Sequence, residues 1–367
     1  MKIVLLASAN SIHTQRWAIS LLELGHTVTL ITQHDSFDWN FPPNLRVIKL
    51  RFRGSLGYFL NSFALRYHLE VLQPDILNAH YASGYGTMAS LVRYCPTLVS
   101  VWGGDVFDFP YQSKFKGELI RWNLRRANAV ASTSKVMANQ VSNLTPELTS
   151  AHITPFGVDC TKFSPLDNRN NQFITVGIVK TLEKKYGLDI LIRAFSLLLG
   201  DAMVAKLDRI QRLRLVIAGS GSERKALEAL VMELDLVNRV EFLGHIKHQS
   251  VPEILQTFDV FVAPSRLDSE SFGVAVIEAS ASGLPVIVSN AGGLPEVVIN
   301  GVTGLVVPRN NPKGLSDALH LLVLDPTLRL NMGERGRKHV LNCYEWNHCV
   351  DNMVSVYHKV IGSAKSK

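Results

Sequence analysis

Short apolar runs alternate with stretches of helical periodicity along almost the whole chain, and that rhythm leaves few folds open. "KIVLLA" (2–7) reads as a buried strand, "HTQRWAISLLELG" (13–25) as a helix closed by Gly25, and "TVTLIT" (27–32) as the next strand. "RVIKL", "DILNAH", "TLVSVW", "AVASTS" and "AHITPF" continue the series. The rhythm stops once, at "PFGVDCTKFSPLDNRNNQ" (155–172), which is rich in Pro, Asn, Gly and Asp and lacks periodicity. It restarts with "FITVGIV", then "LRLVIAG", "RVEFLG", "DVFVAPS", "PVIVSN" and "TGLVVP". Strands separated by helices make a doubly wound parallel sheet. At 367 residues the chain suits two cores better than one. The expectation is an α/β protein of two Rossmann-like parallel-sheet domains, 1–165 and 171–344. A helix-like tail, 345–367, packs on one domain or crosses back to the first. Ligands of open α/β sheets sit at the carboxyl ends of strands, so the expected site is a cleft that the two domains face.

The composition, 47% hydrophobic and 19% charged, is ordinary globular material. No apolar run reaches the length of about eighteen residues that marks a membrane span. "KIVLLASAN" is too short and ends too polar for a signal peptide. Cys95, Cys160, Cys343 and Cys349 form no C-x-x-C and no metal spacing, so reduced thiols in a cytoplasmic protein are expected. The net charge of +7, mostly carried by the first 165 residues, suits acidic partners. Nucleic acid lacks a recognised motif here, whereas an anionic membrane or a phosphorylated substrate fits. In "RFRGSLGYFLNSFALRYH" (51–68) and "YQSKFKGELIRWNLRR" (111–126) aromatics alternate with Arg and Lys. Each stretch reads equally as a helix lying on anionic lipid at the cytoplasmic membrane face or as a core helix with a solvated basic side.

Chemistry concentrates in "APSRLDSESFGVAVIEASASG" (263–283). "VFVAPS" is a strand, "RLDSESFG" the loop at its carboxyl end, and "GVAVIEASAS" the following helix, stopped by Gly283. Ser271, Phe272 and Gly273 therefore sit where a helix exposes free amides, a terminus that attracts phosphate. Gly273 lets a ligand approach the backbone closely. Glu270 and Glu278 flank that point. Carboxylates repel phosphate but accept hydrogen bonds from hydroxyl groups. Phosphates flanked by polyols describe a nucleotide sugar, with ribose on one glutamate and the transferred sugar on the other. The plainer reading makes Glu270 a helix cap and Glu278 a surface residue, although the helix around Glu278 is apolar on most faces.

The E-x7-E spacing resembles the signature of retaining GT-B glycosyltransferases of family 4. "ITPFGVDCTKFSP", "LVIAGSGSERKALE", "VEFLGHI", "VPEIL" and "GGLPEVVINGVTGLVVP" resemble that family in order and spacing as well. The resemblance implies that Glu270 binds donor-sugar hydroxyls, Glu278 the ribose, and the amides around Ser271, Phe272 and Gly273 the diphosphate. The family's Arg and Lys, which neutralise the leaving group, correspond to Lys180 and Lys185 in "VGIVKTLEKKYG", with Lys184 able to exchange with Lys185. A lysine lacks the bidentate fork of arginine. A solvated turn is the alternative for these lysines. "DILNAHYASGYG" resembles the strand-end histidine segment and implies His80 beside the donor sugar. "VSVWGGDVFD" resembles the family's H-G-x-D segment, with Trp102 at the histidine position and Asp105 shaping the acceptor side. Where relatives carry Gly-Gly after the first strand, this chain has Asn10 and Ser11. With His13, Gln15, Arg16 and Trp17 they are expected to read the acceptor. Gly244, His245 and Ile246 are expected near the nucleotide base, uridine by default among relatives.

No D-x-D and no cluster of metal-ligating residues occurs in the sequence. The expected enzyme needs no metal and no cofactor: the helix end, Lys180 and Lys185 hold the nucleotide-diphosphate sugar directly. Retention of anomeric configuration follows from the resemblance alone. A cell-surface glycan or lipid-linked sugar is the expected acceptor. Two other readings stay open: a nucleotide-sugar 2-epimerase on the same scaffold, and a non-catalytic nucleotide-sugar-binding partner.

Overall fold

The structure is a computed structural model describing residues 1–35, 41–148, 151–166, 173–208 and 212–365. It divides into two compact units, Met1–Pro155 with Cys349–Lys367, and Phe156–His348.

In the first unit, strands β1 (Lys2–Leu6), β2 (Thr27–Thr32), β3 (Arg46–Lys49), β4 (Ile76–His80), β5 (Thr97–Val101), β6 (Ala129–Ser132) and β7 (His152–Ile153) form one parallel sheet. Their order is β3-β2-β1-β4-β5-β6-β7. The reading direction reverses between β1 and β4, so the loops leaving these two strands diverge and open a crevice. Helix α1 (Ile12–Glu23) follows β1, helices α2 (Gly54–Leu60) and α3 (Ser62–Leu72) precede β4, and α4 (Gly84–Val92) follows it. The strand interiors are apolar because helices cover both faces. One polar exception is Asn78 in β4: its Nδ2 donates to Tyr357 Oη at 2.7 Å and its Oδ1 accepts from Ser100 Oγ at 2.9 Å. Tyr357 lies in the last helix, Trp346–Lys365, whose greater part belongs to this unit.

In the second unit β8 (Phe173–Val179), β9 (Arg212–Ala218), β10 (Val240–Gly244), β11 (Val260–Ala263), β12 (Val286–Ser289) and β13 (Gly304–Val307) form a second parallel sheet. The order is β10-β9-β8-β11-β12-β13, with its reversal between β8 and β11. Packing tolerates no excess volume here: a Cβ on Gly177 of β8 would stand 2.2 Å from the Phe258 ring.

The division falls earlier than the expected linker suggests. Val158 N donates to Tyr344 O at 2.8 Å, Trp346 N to Val158 O at 3.0 Å, and Arg337 Nη1 to Phe163 O at 2.9 Å. These long-range bonds tie 156–163 to the second unit, so the first ends at Pro155 and not at 165. Of the expected linker, 167–172 lies outside the described residues.

Candidate active site

In the second unit the chain leaves β11, loops through Pro264–Glu270 and re-enters helix at Val274. Gly273 makes the entry with φ +95°, a conformation that disfavours any side chain, and an added Cβ would stand 2.7 Å from Leu294 Cδ2. A second pair of glycines braces the loop from outside. A Cβ on Gly292 would meet Glu270 O at 2.3 Å, and one on Gly293 would meet Ser271 O at 2.1 Å. Gly293 N donates to Glu270 O at 2.9 Å. "AGG" is therefore a contact surface for the Glu270 loop.

Glu270 is not a helix cap. Its Oε2 lies 2.7 Å from Lys180 Nζ and accepts from Ser265 Oγ at 3.5 Å. Both partners are largely buried, with side chains 10% and 23% exposed. Burial opposes the charge on Lys180, and the facing Glu270 carboxylate overcomes it, so the lysine pKa is raised. The ammonium also stands 4.3 Å from the centroid of the Tyr186 ring. Lys180, Tyr186, Ser265, Glu270 and Gly273 line one narrow recess of about 10 Å³ at the carboxyl ends of β8 and β11. That is the reversal point of the sheet order. Lys185 also approaches the Tyr186 ring, 5.0 Å from its centroid, with Glu183 at 3.3 Å. Burial opposes its charge, while Tyr186 and Glu183 raise its pKa overall. Lys184 is exposed, which favours Lys185 as the second lysine of the site.

Ser271 and Phe272 are buried. The Phe272 ring packs edge-on against Phe156 at 5.9 Å and Tyr344 at 5.7 Å, leaving only its backbone for a ligand. Glu278 is 5% exposed inside the helix Val274–Ala281, so it is no surface residue. Its Oε1 accepts from His248 Nε2 at 3.0 Å. Sequence reasoning missed His248. It lies in a short turn after β10, in the loop that Gly244, His245 and Ile246 open, and only the fold brings it to Glu278. Gly244 has φ +75° and its carbonyl accepts from Gly219 N at 2.7 Å; His245 is exposed.

Two residues expected at the site in the first unit, His80 and Asp105, are buried. His80 is 1% exposed, lies 4.4 Å centroid to centroid from Trp102, and its Nδ1 is 3.2 Å from Thr14 Oγ1. Burial, with a smaller contribution from His13, lowers its pKa to about 3, so it packs as a neutral group against the tryptophan. Asp105 is 3% exposed and accepts from the backbone N–H groups of Ala82 at 2.8 Å, Gly103 at 2.9 Å and Trp102 at 3.1 Å. Burial raises its pKa and these bonds oppose the rise. It holds two loops together and offers no edge to an acceptor. Gln15 and Trp17 are likewise buried, Gln15 donating to Ala9 O at 2.7 Å. His13 stands edge-on to Trp102 at 5.9 Å. Asn10 is exposed and Ser11 caps α1; both line a recess of about 380 Å³ with Ser8, Tyr58, Tyr81 and Tyr85.

Among the described residues no group of three His, Cys, Asp or Glu could hold a metal ion, and no helix is long and apolar enough to cross a membrane.

Two family models match the chain: Glycosyl transferases group 1 over residues 162–339, and Glycosyl transferase 4-like over 2–134. An uncharacterized glycosyltransferase of Methanocaldococcus jannaschii is 25% identical over 90% of this chain and 89% of its own. Among solved structures, sucrose-phosphate synthase from Thermosynechococcus elongatus superposes with a TM-score of 0.84 at 22% identity, covering 99% of this chain and 100% of that one. HepE from Anabaena, solved in complex with UDP-glucose, superposes with a TM-score of 0.78 at 16% identity, covering 98% and 100%. These two share the two-domain GT-B fold. With both halves matched by glycosyltransferase models and a glycosyltransferase aligned along nearly its full length, the chain belongs to the group 1 glycosyl transferases and is a glycosyltransferase.

Proposed function

We propose that the enzyme moves a sugar from a nucleoside-diphosphate donor to a hydroxyl acceptor, without a metal ion and with retention at the anomeric carbon. The observation that carries this reading is the Lys180–Glu270 pair at 2.7 Å, set beside the Gly273 helix entry in one recess. A diphosphate at that entry meets backbone N–H groups, the positive end of the helix and the ammonium groups of Lys180 and Lys185. Lys180 then faces both groups, phosphate on one side and the Glu270 carboxyl on the other, and its ammonium offsets the repulsion between them. Its free lone pairs accept hydrogen bonds from the donor sugar. Glu278, deep in the helix and held by His248, accepts from the ribose. HepE, crystallised with UDP-glucose, supports a uridine nucleotide as the first donor to try.

The reaction is written as front-face displacement. The acceptor oxygen bonds to the anomeric carbon, the bond from that carbon to the β-phosphate oxygen breaks, and the acceptor proton passes to the departing oxygen. The products are a glycoside and a free nucleoside diphosphate. Retention rests on the family likeness. Metal independence rests on the cationic groups, which supply the charge a divalent ion would otherwise bring. Transfer measured in excess EDTA tests it: unchanged rates are expected, and loss restored by a divalent ion would contradict it.

A glycan or lipid-linked acceptor at the cytoplasmic membrane face fits the first unit. Leu56, Phe59, Leu60, Phe63 and Tyr67 of α2 and α3 are exposed, beside Arg51, Arg53 and Arg66. Salt-sensitive sedimentation with phosphatidylglycerol vesicles is expected; equal recovery with and without vesicles would dismiss the contact.

A further inference from the structure

The recess of the first unit lies at the reversal of its sheet order, where the loops after β1 and β4 diverge. We infer that this recess holds the acceptor as an uncharged polyhydroxyl ring, its apolar face on Tyr58 and Tyr81 and its hydroxyl groups on Ser8, Asn10 and Ser11. The inference rests on the glycosyltransferase reading and adds the chemical class of the acceptor.

The walls are built for shape. Tyr58 comes from α2 and meets the Tyr85 ring edge-on at 5.3 Å. Its ring lies over Gly84, where an added Cβ would stand 2.3 Å from the phenol carbon, so only glycine admits the tyrosine. Tyr85 Oη is fixed from several sides: it accepts from Gln33 N at 3.1 Å and lies 2.7 Å from His34 Nδ1 and 3.1 Å from Thr32 Oγ1. At the rim, Tyr81 holds φ +70° with its side chain 39% exposed. A non-glycine residue kept in that region marks a place where the surroundings impose the conformation. Aromatic faces flanked by hydroxyl and amide groups are suited to a sugar, which presents C–H faces and O–H edges.

The second property is charge. Among the described residues, no Asp, Glu, Lys or Arg lines the recess. Burial raises the pKa of Tyr58 and Tyr85 and lowers that of His34 despite Asp35, so the wall is neutral at neutral pH. Two basic groups before α2, Lys49 and Arg53, both pair with Asp35, Arg53 at 2.9 Å. Residues 36–40, outside the described set, contain no Lys or Arg. A phosphate or carboxylate placed here would lose water without gaining a counter-ion, which costs several kcal/mol.

Saturation-transfer NMR on the full chain tests this with octyl β-D-glucoside and octyl β-D-galactoside as neutral probes, and glucose 6-phosphate and galacturonate as charged ones. The neutral glycosides are expected to receive saturation, the charged sugars at least about tenfold less, a factor worth about 1.4 kcal/mol. Tyr58→Ala and Gly84→Val should abolish the neutral signal, while calorimetric binding of UDP, which belongs to the second unit, persists in both. Equal signals from charged sugars, or neutral signals that survive both substitutions, would overturn the inference. Absence of UDP binding in the unsubstituted chain would instead overturn the glycosyltransferase-site reading on which it rests.

Discussion

Replacing Lys180 with methionine separates what the Lys180–Glu270 pair does for folding from what it does for catalysis. At 2.7 Å, two unit charges attract by about 6 kcal/mol at an effective dielectric near 20. Most of that offsets the loss of water around the charges. Removing one partner leaves a largely buried carboxylate without its cation, so Lys180→Met should cost about 3 kcal/mol, somewhat below a fully buried pair because both side chains keep some exposure. For a unit of this size that lowers the melting temperature by about 6–12 °C. Glu270→Gln alone should cost less, since the amide still accepts from Lys180. The double variant should regain most of the lost stability, because no buried charge is then left over. Its transfer rate should nevertheless stay at least about a hundredfold down, the usual loss on removing one group that stabilises transition-state charge. Calorimetry and initial rates on all four proteins complete the cycle. Additive stability losses would refute the pairing. A double variant with normal turnover would refute the site.

Two further outcomes follow from the same geometry. His248→Ala should raise the KM for donor with little change in kcat, His248→Gln should recover part of it, and neither should matter for a 2′,3′-dideoxyribose donor, which gives Glu278 nothing to bind; equal effects on both donors would make His248 merely structural. His80 folds with its pKa near 3, below the ordinary value of 6.5, so the unfolded chain binds the extra proton first. Stability should therefore fall by up to about 1.4 kcal/mol per unit as pH drops through that window, and His80→Gln should flatten the slope measured by denaturant titration; an unchanged slope would contradict its burial as a neutral group.

Much of the architecture was legible because a strand covered on both sides must be a short apolar run, and the inner sheet strands obey that rule, while the edge strand Arg46–Lys49 is mostly exposed. The Glu270 loop was legible for a similar reason: a glycine at a strand-to-helix turn is a local signal, and Gly273 makes the helix entry there with φ +95°. What escaped were facts made by distant parts of the chain. His248 meets Glu278 only because β10 ends on the side of the sheet where the helix after β11 begins. The segment 156–163 looked like a linker since its hydrogen-bond partners lie near Tyr344, far along the sequence. His80 ends β4, as expected, and Asp105 lies in the turn of helix after β5, but the sequence carries no sign that Trp102 packs on the first and that three backbone N–H groups occupy the second. Strand-end position alone does not say which side chains remain open to a ligand.

A crystal structure of the enzyme with an unhydrolysed UDP-sugar tests the central claim most directly. The diphosphate should lie at the Gly273 helix entry within hydrogen-bonding distance of Lys180, with the ribose hydroxyls on Glu278 and the hexose hydroxyls on Glu270. A nucleotide bound away from that entry, or one whose ribose and hexose touch neither carboxylate, would contradict the account.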